Sequence, residues 1–168
     1  MNREKIDERI KNNLFSAKPE VVLSAIESVK TKGNKLYIPL LFDLLNSSPG
    51  HEIETEIKNL LETIKDKNAV NIFMRAIEDE KYKGIRKTIL AACWQNGLDF
   101  SIFLPVFVDL VIHEDWDTAF EAFTVIDNLE FLPGEEIINV SIHKINEAMP
   151  TVPEQYKYLL NEILLKLK

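Results

Sequence analysis

The sequence predicts an all-α fold, an α-α superhelix of about four helical hairpins with a capping helix at each end, and three observations carry that expectation. Apolar residues recur at i, i+3, i+4 and i+7 almost throughout, and no useful length of chain alternates as a half-buried strand does. Helix breakers cut the chain at short intervals: Pro19, Gly33-Asn34, Ser47-Ser48-Pro49-Gly50, Gly84, Asn96-Gly97, Pro133-Gly134, Pro150 and Pro153. The segment IPLLFDLL at 38–45 returns as LPVFVDLV at 104–111, setting Pro39, Asp43, Leu44 and Leu45 over Pro105, Asp109, Leu110 and Val111 at a constant offset of 66. Val and Ile are frequent, but they follow the helical period, which outranks their β propensity.

Taken in order, the charged segment 2–14 forms a first helix with Ile6, Ile10 and Leu14 as a narrow apolar stripe. Repeats follow at approximately 18–50, 51–82, 83–115 and 116–150, then a terminal helix at 154–166, all in one domain spanning 1–168. The leading helix of each repeat is also apolar at helical spacing, through Leu23/Ile26/Val29, Leu60/Leu61/Ile64, Ile89/Ala92/Cys93 or Phe120/Phe123/Ile126. Half of 66 is 33, and a middle copy of the second helix falls near 70–79, with Val70, Phe73, Met74 and Ile77 under Tyr37, Leu40, Leu41 and Leu44. A fourth copy sets Ile142 and Ile145 against Phe107 and Leu110 at a spacing of 35. Leu41, Met74, Phe107 and Ile142 are therefore expected at equivalent buried positions. Asp115 or Asp117 caps the helix after it, and Glu135-Glu136 favour a helix N-terminus. Thr151-Val152-Pro153-Glu154 reads as a capping box. The last helix carries Tyr156, Leu159, Leu160, Ile163, Leu164 and Leu167 over a wide arc, which closes the final repeat or faces another subunit.

This pattern resembles HEAT repeats of the armadillo-like solenoid class, in which helix A, a tight turn and a helix B opening with Leu/Ile-Pro-x-x-x-Asp-Leu make one unit. The resemblance covers roughly residues 18–148. The second copy has Ile72 and Ala76, and the fourth Val140 and Lys144, where Pro and Asp would stand. The resemblance implies a stacked superhelix used as a binding surface or scaffold, and rarely as an enzyme. Stacking has an independent reason, since one amphipathic hairpin cannot hide its own apolar face.

Composition narrows the function. The chain has 168 residues, 46% of them hydrophobic, and a net charge of −7, and a chain of that size buries roughly 70% of its unfolded surface without staples. Its single Cys93 makes no internal disulfide, and no apolar run reaches the ~20 residues of a membrane span. The N-terminal MNREKIDERIKNN lacks the apolar core of a signal peptide, so a cytoplasmic protein is expected.

His51, His113 and His143 show no metal-ligand spacing; His113-Glu114-Asp115-Trp116-Asp117 offers one imidazole and three carboxylates to a cation, but reads first as a solvated helix-end loop with a capping Asp. Cys93 sits among Ala91 and Ala92 as a core residue. No cofactor, metal or catalytic set is expected, and the protein is expected not to be an enzyme. The presumed inner stripe of Phe42, Arg75, Val108 and His143, beside Asp43, Ala76, Asp109 and Lys144, is mixed rather than cationic, so no nucleic-acid partner is expected.

Charge is unevenly spread. Residues 1–84 hold 14 Lys+Arg and 14 Asp+Glu, whereas residues 85–168 hold 6 and 13, a net of −7. From Thr88 to His143 there are ten acids and no Lys or Arg, together with Trp94, Phe100, Phe103, Phe107, Trp116, Phe120, Phe123 and Phe131. One reading is a solvated acidic surface over an aromatic core; the other is an acidic groove whose apolar anchors attract a basic partner segment. The expected function is a non-catalytic protein-protein interaction module, with Phe42, Asp43, Arg75, Val108, Asp109 and His143 as candidate contacts. The alternatives are an acidic inhibitor or immunity-type protein, and an enzyme or enzyme subunit related to the HEAT-like alkylpurine DNA glycosylases.

Overall fold

Helix is the only regular structure among the described residues, 3–168 of this computed structural model. The chain divides into two compact units, Met1–Ile85 and Arg86–Lys168.

The first unit holds α1 (Glu8–Leu14), α2 (Pro19–Lys32), α3 (Ile38–Asn46), α4 (His51–Glu62) and α5 (Val70–Glu78). Its core gathers Leu14, Ile26, Leu41, Phe42, Ile57, Leu61, Phe73 and Ile77, with α1 packed on α2, α2 on α4, and α3 on α4 and α5. The first helix is shorter than the segment 2–14 predicted, of which residue 2 lies outside the described residues. Asp7 takes the N-cap, its carboxylate accepting from the Arg9 amide at 2.8 Å. Upstream, the Asp7 amide donates to the Tyr37 hydroxyl at 2.6 Å and the Asn34 amide group to the Lys5 carbonyl at 3.1 Å. Residues 3–7 thus tie onto the 34–37 turn instead of extending α1. Gly33 ends α2, its amide donating to the Val29 carbonyl at 2.8 Å, and a Cβ at that position would collide with the same carbonyl.

The second unit holds α6 (Arg86–Asn96), α7 (Leu104–His113), α8 (Trp116–Asp127), α9 (Glu135–Ala148) and α10 (Glu154–Lys166). Here α7 packs on α8 and α9, α6 on α8, and α10 on α7, α8 and α9. Asp115 caps α8 by accepting from the Thr118 amide at 3.1 Å and its hydroxyl at 3.0 Å, and α9 opens at Glu135. The predicted capping box at Thr151 does not form. The Thr151 hydroxyl donates backward to the Ala148 carbonyl at 3.0 Å, closing α9, and Pro153 stands at the N-cap of α10 without a side-chain acceptor. Leu159, Leu160 and Ile163 of α10 and Leu167 at its C-cap are buried, while Tyr158 and Leu165 face outward.

A local unit recurs three times. Asn34, Asp66 and Asp99, 32 and then 33 residues apart, each accept at 2.9 Å from the amide two residues on. Each introduces a three-residue 3₁₀ turn that runs into α3, α5 or α7. The side chain satisfies an amide that the first turn leaves without an acceptor. Pro39 and Pro105 then stand in the first turn of α3 and α7, where a missing N–H is tolerated. Asp99→Ala is expected to lower stability by about 0.5–2 kcal/mol, read from the urea midpoint, with Asp99→Asn nearly neutral because its side-chain oxygen still accepts.

Burial corrects the predicted register. Leu41, Phe42 and Leu45 of α3 match Phe73, Met74 and Ile77 of α5, and Phe107, Val108 and Val111 of α7, all of them buried. Phe73, rather than Met74, therefore stands level with Leu41 and Phe107. In α9 the buried residues are Ser141 and Ile145, and Ile142 is only half-buried. The linkers explain both slips, because a one-residue change in linker length turns the following helix face by about 100°. The α4–α5 linker brings the next helix in 32 residues after α3, and the α8–α9 linker contains no 3₁₀ turn.

Candidate interaction surface

Phe42 and Val108 are core residues, 1% and 0% exposed, so neither presents a surface to a partner. Their helices are enclosed: α3 lies against α4, α5 and the 3₁₀ segment Glu80–Ile85, and α7 against α8, α9 and α10. Phe42 meets Phe73 and Tyr82 edge-on, with ring centroids 5.5 and 6.0 Å apart. The neighbouring acids are matched within their own units. One oxygen of Asp43 accepts from Lys81 Nζ and from the Tyr82 hydroxyl, each at 2.6 Å, while both oxygens of Asp109 accept from Lys144 Nζ at 3.0 Å. Arg75 is exposed on α5, and His143 is exposed on α9, 3.5 Å from Glu147. Phe42, Asp43 and Arg75 belong to the first unit, and Val108, Asp109 and His143 to the second.

Burial alone would raise the Asp43 carboxyl, but the hydrogen bonds from Lys81 and Tyr82 and the Lys81 charge outweigh it and hold the group below its usual value. A carboxyl lowered by folding stabilises the native state above its unfolded pKa of about 3.9 and loses that contribution as the pH falls through its folded value. Asp43→Asn is therefore expected to flatten the loss of stability between neutral pH and about pH 3, measured by urea midpoints at the two pH values.

The cluster from His113 to Asp117 is dispersed. Glu114 pairs with Arg86 at 2.8 Å, Asp115 caps α8, and Asp117 pairs with Lys87 at 3.4 Å. No group of three or more His, Cys, Asp or Glu side chains able to hold a metal ion occurs among the described residues. Cys93 is buried, and burial pushes its thiol well up. A shallow depression of about 470 Å³ is lined by Asp109, His113, Lys144 and Glu147, which are the residues of the Asp109–Lys144 pair and their neighbours.

The outward face of α8 differs from the rest of the surface. Ala119, Ala122, Val125 and Ile126 turn inward and fill the core contact. Beside them Trp116, Phe120 and the half-buried Phe123 form a row whose ring centroids are 6.0 and 6.1 Å apart. Trp116 also meets Tyr156 of α10 edge-on at 5.5 Å, and the Tyr156 hydroxyl donates to the Glu114 carbonyl at 3.1 Å. Trp116 is 36% and Phe120 47% exposed. Phe120 is thus not the core residue that its spacing with Phe123 and Ile126 predicted; the neighbouring Ala119 takes that place. Both stripes on α8 have helical period, and the smaller one lets α6 and α7 approach closely. The signal was the surplus itself, two apolar stripes on one helix where packing needs one.

Carboxylates flank the row. Asp117 faces Lys87, Glu121 accepts from Trp94 Nε1 at 2.9 Å, and Glu154 binds Lys157 at 2.6 Å. Lys166 donates to the Asp127 carbonyl at 2.7 Å. No family model matches the chain, and no curated protein matches it in sequence. None of the described helices is long and apolar enough to cross a membrane.

Proposed function

We propose that the protein is a cytoplasmic, non-catalytic protein-binding module, a HEAT-like superhelical scaffold whose acidic C-terminal half carries the partner surface. The supporting observation is the aromatic row of α8, in which Trp116 and Phe120 are exposed and Phe123 is half-buried, because large apolar groups left in water beside a complete core contact mark interaction sites. The groups whose ionisation departs from normal give the same reading. Asp43, Lys81 and Tyr82 serve one another, Asp115 caps a helix, and Cys93 is core. Each is spent on structure, whereas catalytic groups are perturbed where they face a cleft.

The test is affinity capture of the full chain from its native cell, followed by reconstitution with the purified partner. One protein binding stoichiometrically with a Kd of about 1 μM or tighter is the expected result, corresponding to roughly −8 kcal/mol. Failure of every captured protein to bind when purified would overturn the reading, as would turnover of a small molecule by the isolated chain.

A further inference from the structure

Resting on that reading, we propose that the outward face of α8, with the start of α10, is the docking site for a cationic amphipathic helix of a partner protein. Pitch, backbone chemistry and charge each point to that occupant.

Pitch comes first. Successive rings along Trp116, Phe120 and Phe123 are 6.0 and 6.1 Å apart, close to the rise of about 5.4 Å per helical turn. A helix laid along α8 sets its i, i+3/i+4 and i+7 side chains between those rings, as ridges enter grooves. A partner strand added by β-augmentation would need a sheet edge to continue, and the described residues contain no strand.

Charge then selects the sign. The stretch that contains the row holds ten acids and no Lys or Arg between Thr88 and His143. The nearest cations are already engaged, Lys87 with Asp117, Lys157 with Glu154, and Lys166 with the Asp127 carbonyl. Glu121 takes its hydrogen bond from the neutral Trp94 and so keeps its charge uncompensated. A Lys or Arg flanking the apolar face of the incoming helix pairs with Glu121, and an Arg plane stacks on Trp116 or Tyr156. A second copy of this chain would set one −7 unit against another across a two-fold contact, which is repulsive. Nucleic acid and an anionic membrane are repelled for the same reason.

The experiment uses the full chain and three synthetic peptides of about 18 residues, long enough for five helical turns. They are a Leu/Lys amphipathic helix, a Leu/Glu helix with the same apolar face, and a scrambled Leu/Lys peptide that has none. Calorimetry and tryptophan emission read the binding, with Trp116 as the reporter inside the row. The Leu/Lys helix is expected to bind and shift the emission to the blue, and the other two to bind at least about tenfold more weakly. Phe120→Ser is expected to weaken Leu/Lys binding at least about tenfold without changing helicity or the urea midpoint, whereas Tyr158→Ser on the outer side of α10 leaves it unchanged. Raising salt from about 50 to about 500 mM should weaken it several-fold. Equal binding of the scrambled or Leu/Glu peptide, or of the Phe120→Ser variant, overturns the proposal. A photo-crosslinker at position 120, compared with one at 158, separates the two readings in the cell. A partner captured only from 158 removes this surface and keeps the binding module; a partner captured from 120 supports both.

Discussion

Phe42→Ala is expected to destabilise the first unit by about 3–5 kcal/mol, one of the largest single-site losses available to this chain. The side chain is completely enclosed and lies edge-on to both Phe73 and Tyr82, so truncation removes buried area, leaves a cavity and breaks two aromatic pairs at once. Tyr82 is also held through its hydroxyl by Asp43, which keeps the neighbouring 3₁₀ segment from collapsing into the void. Urea denaturation followed by far-ultraviolet circular dichroism measures the loss. Phe120→Ala provides the contrast, with an expected change within about 0.5 kcal/mol, because its ring faces water. Comparable losses in the two variants would show that the α8 face is core after all.

The second large effect belongs to the ion pair at the start of the second unit. Arg86 is 3% exposed and its Nη1 lies 2.8 Å from Glu114 Oε1. Glu114→Ala removes one carboxylate from a buried guanidinium, and the expected cost is about 1.5–3 kcal/mol. Glu114→Gln retains an acceptor and should cost less. The double replacement Arg86→Met/Glu114→Leu is expected to recover most of the loss, since apolar groups of similar volume need no compensating charge. A denaturant series on the two single variants and the pair closes the cycle, read by tryptophan emission, because Trp94 and Trp116 both lie in this unit. A Glu114→Ala cost below about 1 kcal/mol would mean that other contacts hold Arg86.

The all-helical class was legible because the period of three to four residues runs through nearly every segment between breakers. Asp115 as a cap and Glu135 as a helix start were legible for a local reason, since a cap is settled by residues within one turn of it. Register was less accessible. Met74 and Ile142 sit one residue from the positions level with Leu41, because linker length decides how far the next helix is turned, and periodicity carries no record of it. Asn34, Asp66 and Asp99 would have supplied that record as Asx turns ahead of each second helix.

The partner surface was hardest to place. Phe42 and Val108 stand beside carboxylates in sequence as apolar anchors of a groove would, but their helices are enclosed on several sides and both side chains are core. The surplus lies instead on α8, where two alanines fill the core contact and leave the larger Trp116 and Phe120 outside. Sequence alone favours the bulkier stripe as core; only the positions of α6, α7 and α10 reverse that choice.

The packing partners have a consequence for how fast the chain organises. Every helix rests on neighbours near it in sequence: α1 on α2, α2 on α4, α3 on α4 and α5, α6 on α8, α7 on α8 and α9, and α10 on the three helices before it. Closing such short loops costs little entropy, and assembly waits on no distant strand pairing. Chains of this low contact order collapse and lock on the microsecond-to-millisecond scale. Synthesis, at about 5–20 residues per second, is far slower. The contacts within the first unit, α1 on α2, α2 on α4, and α3 on α4 and α5, can therefore form as soon as Ile85 clears the ribosome, while the acidic remainder is still being made.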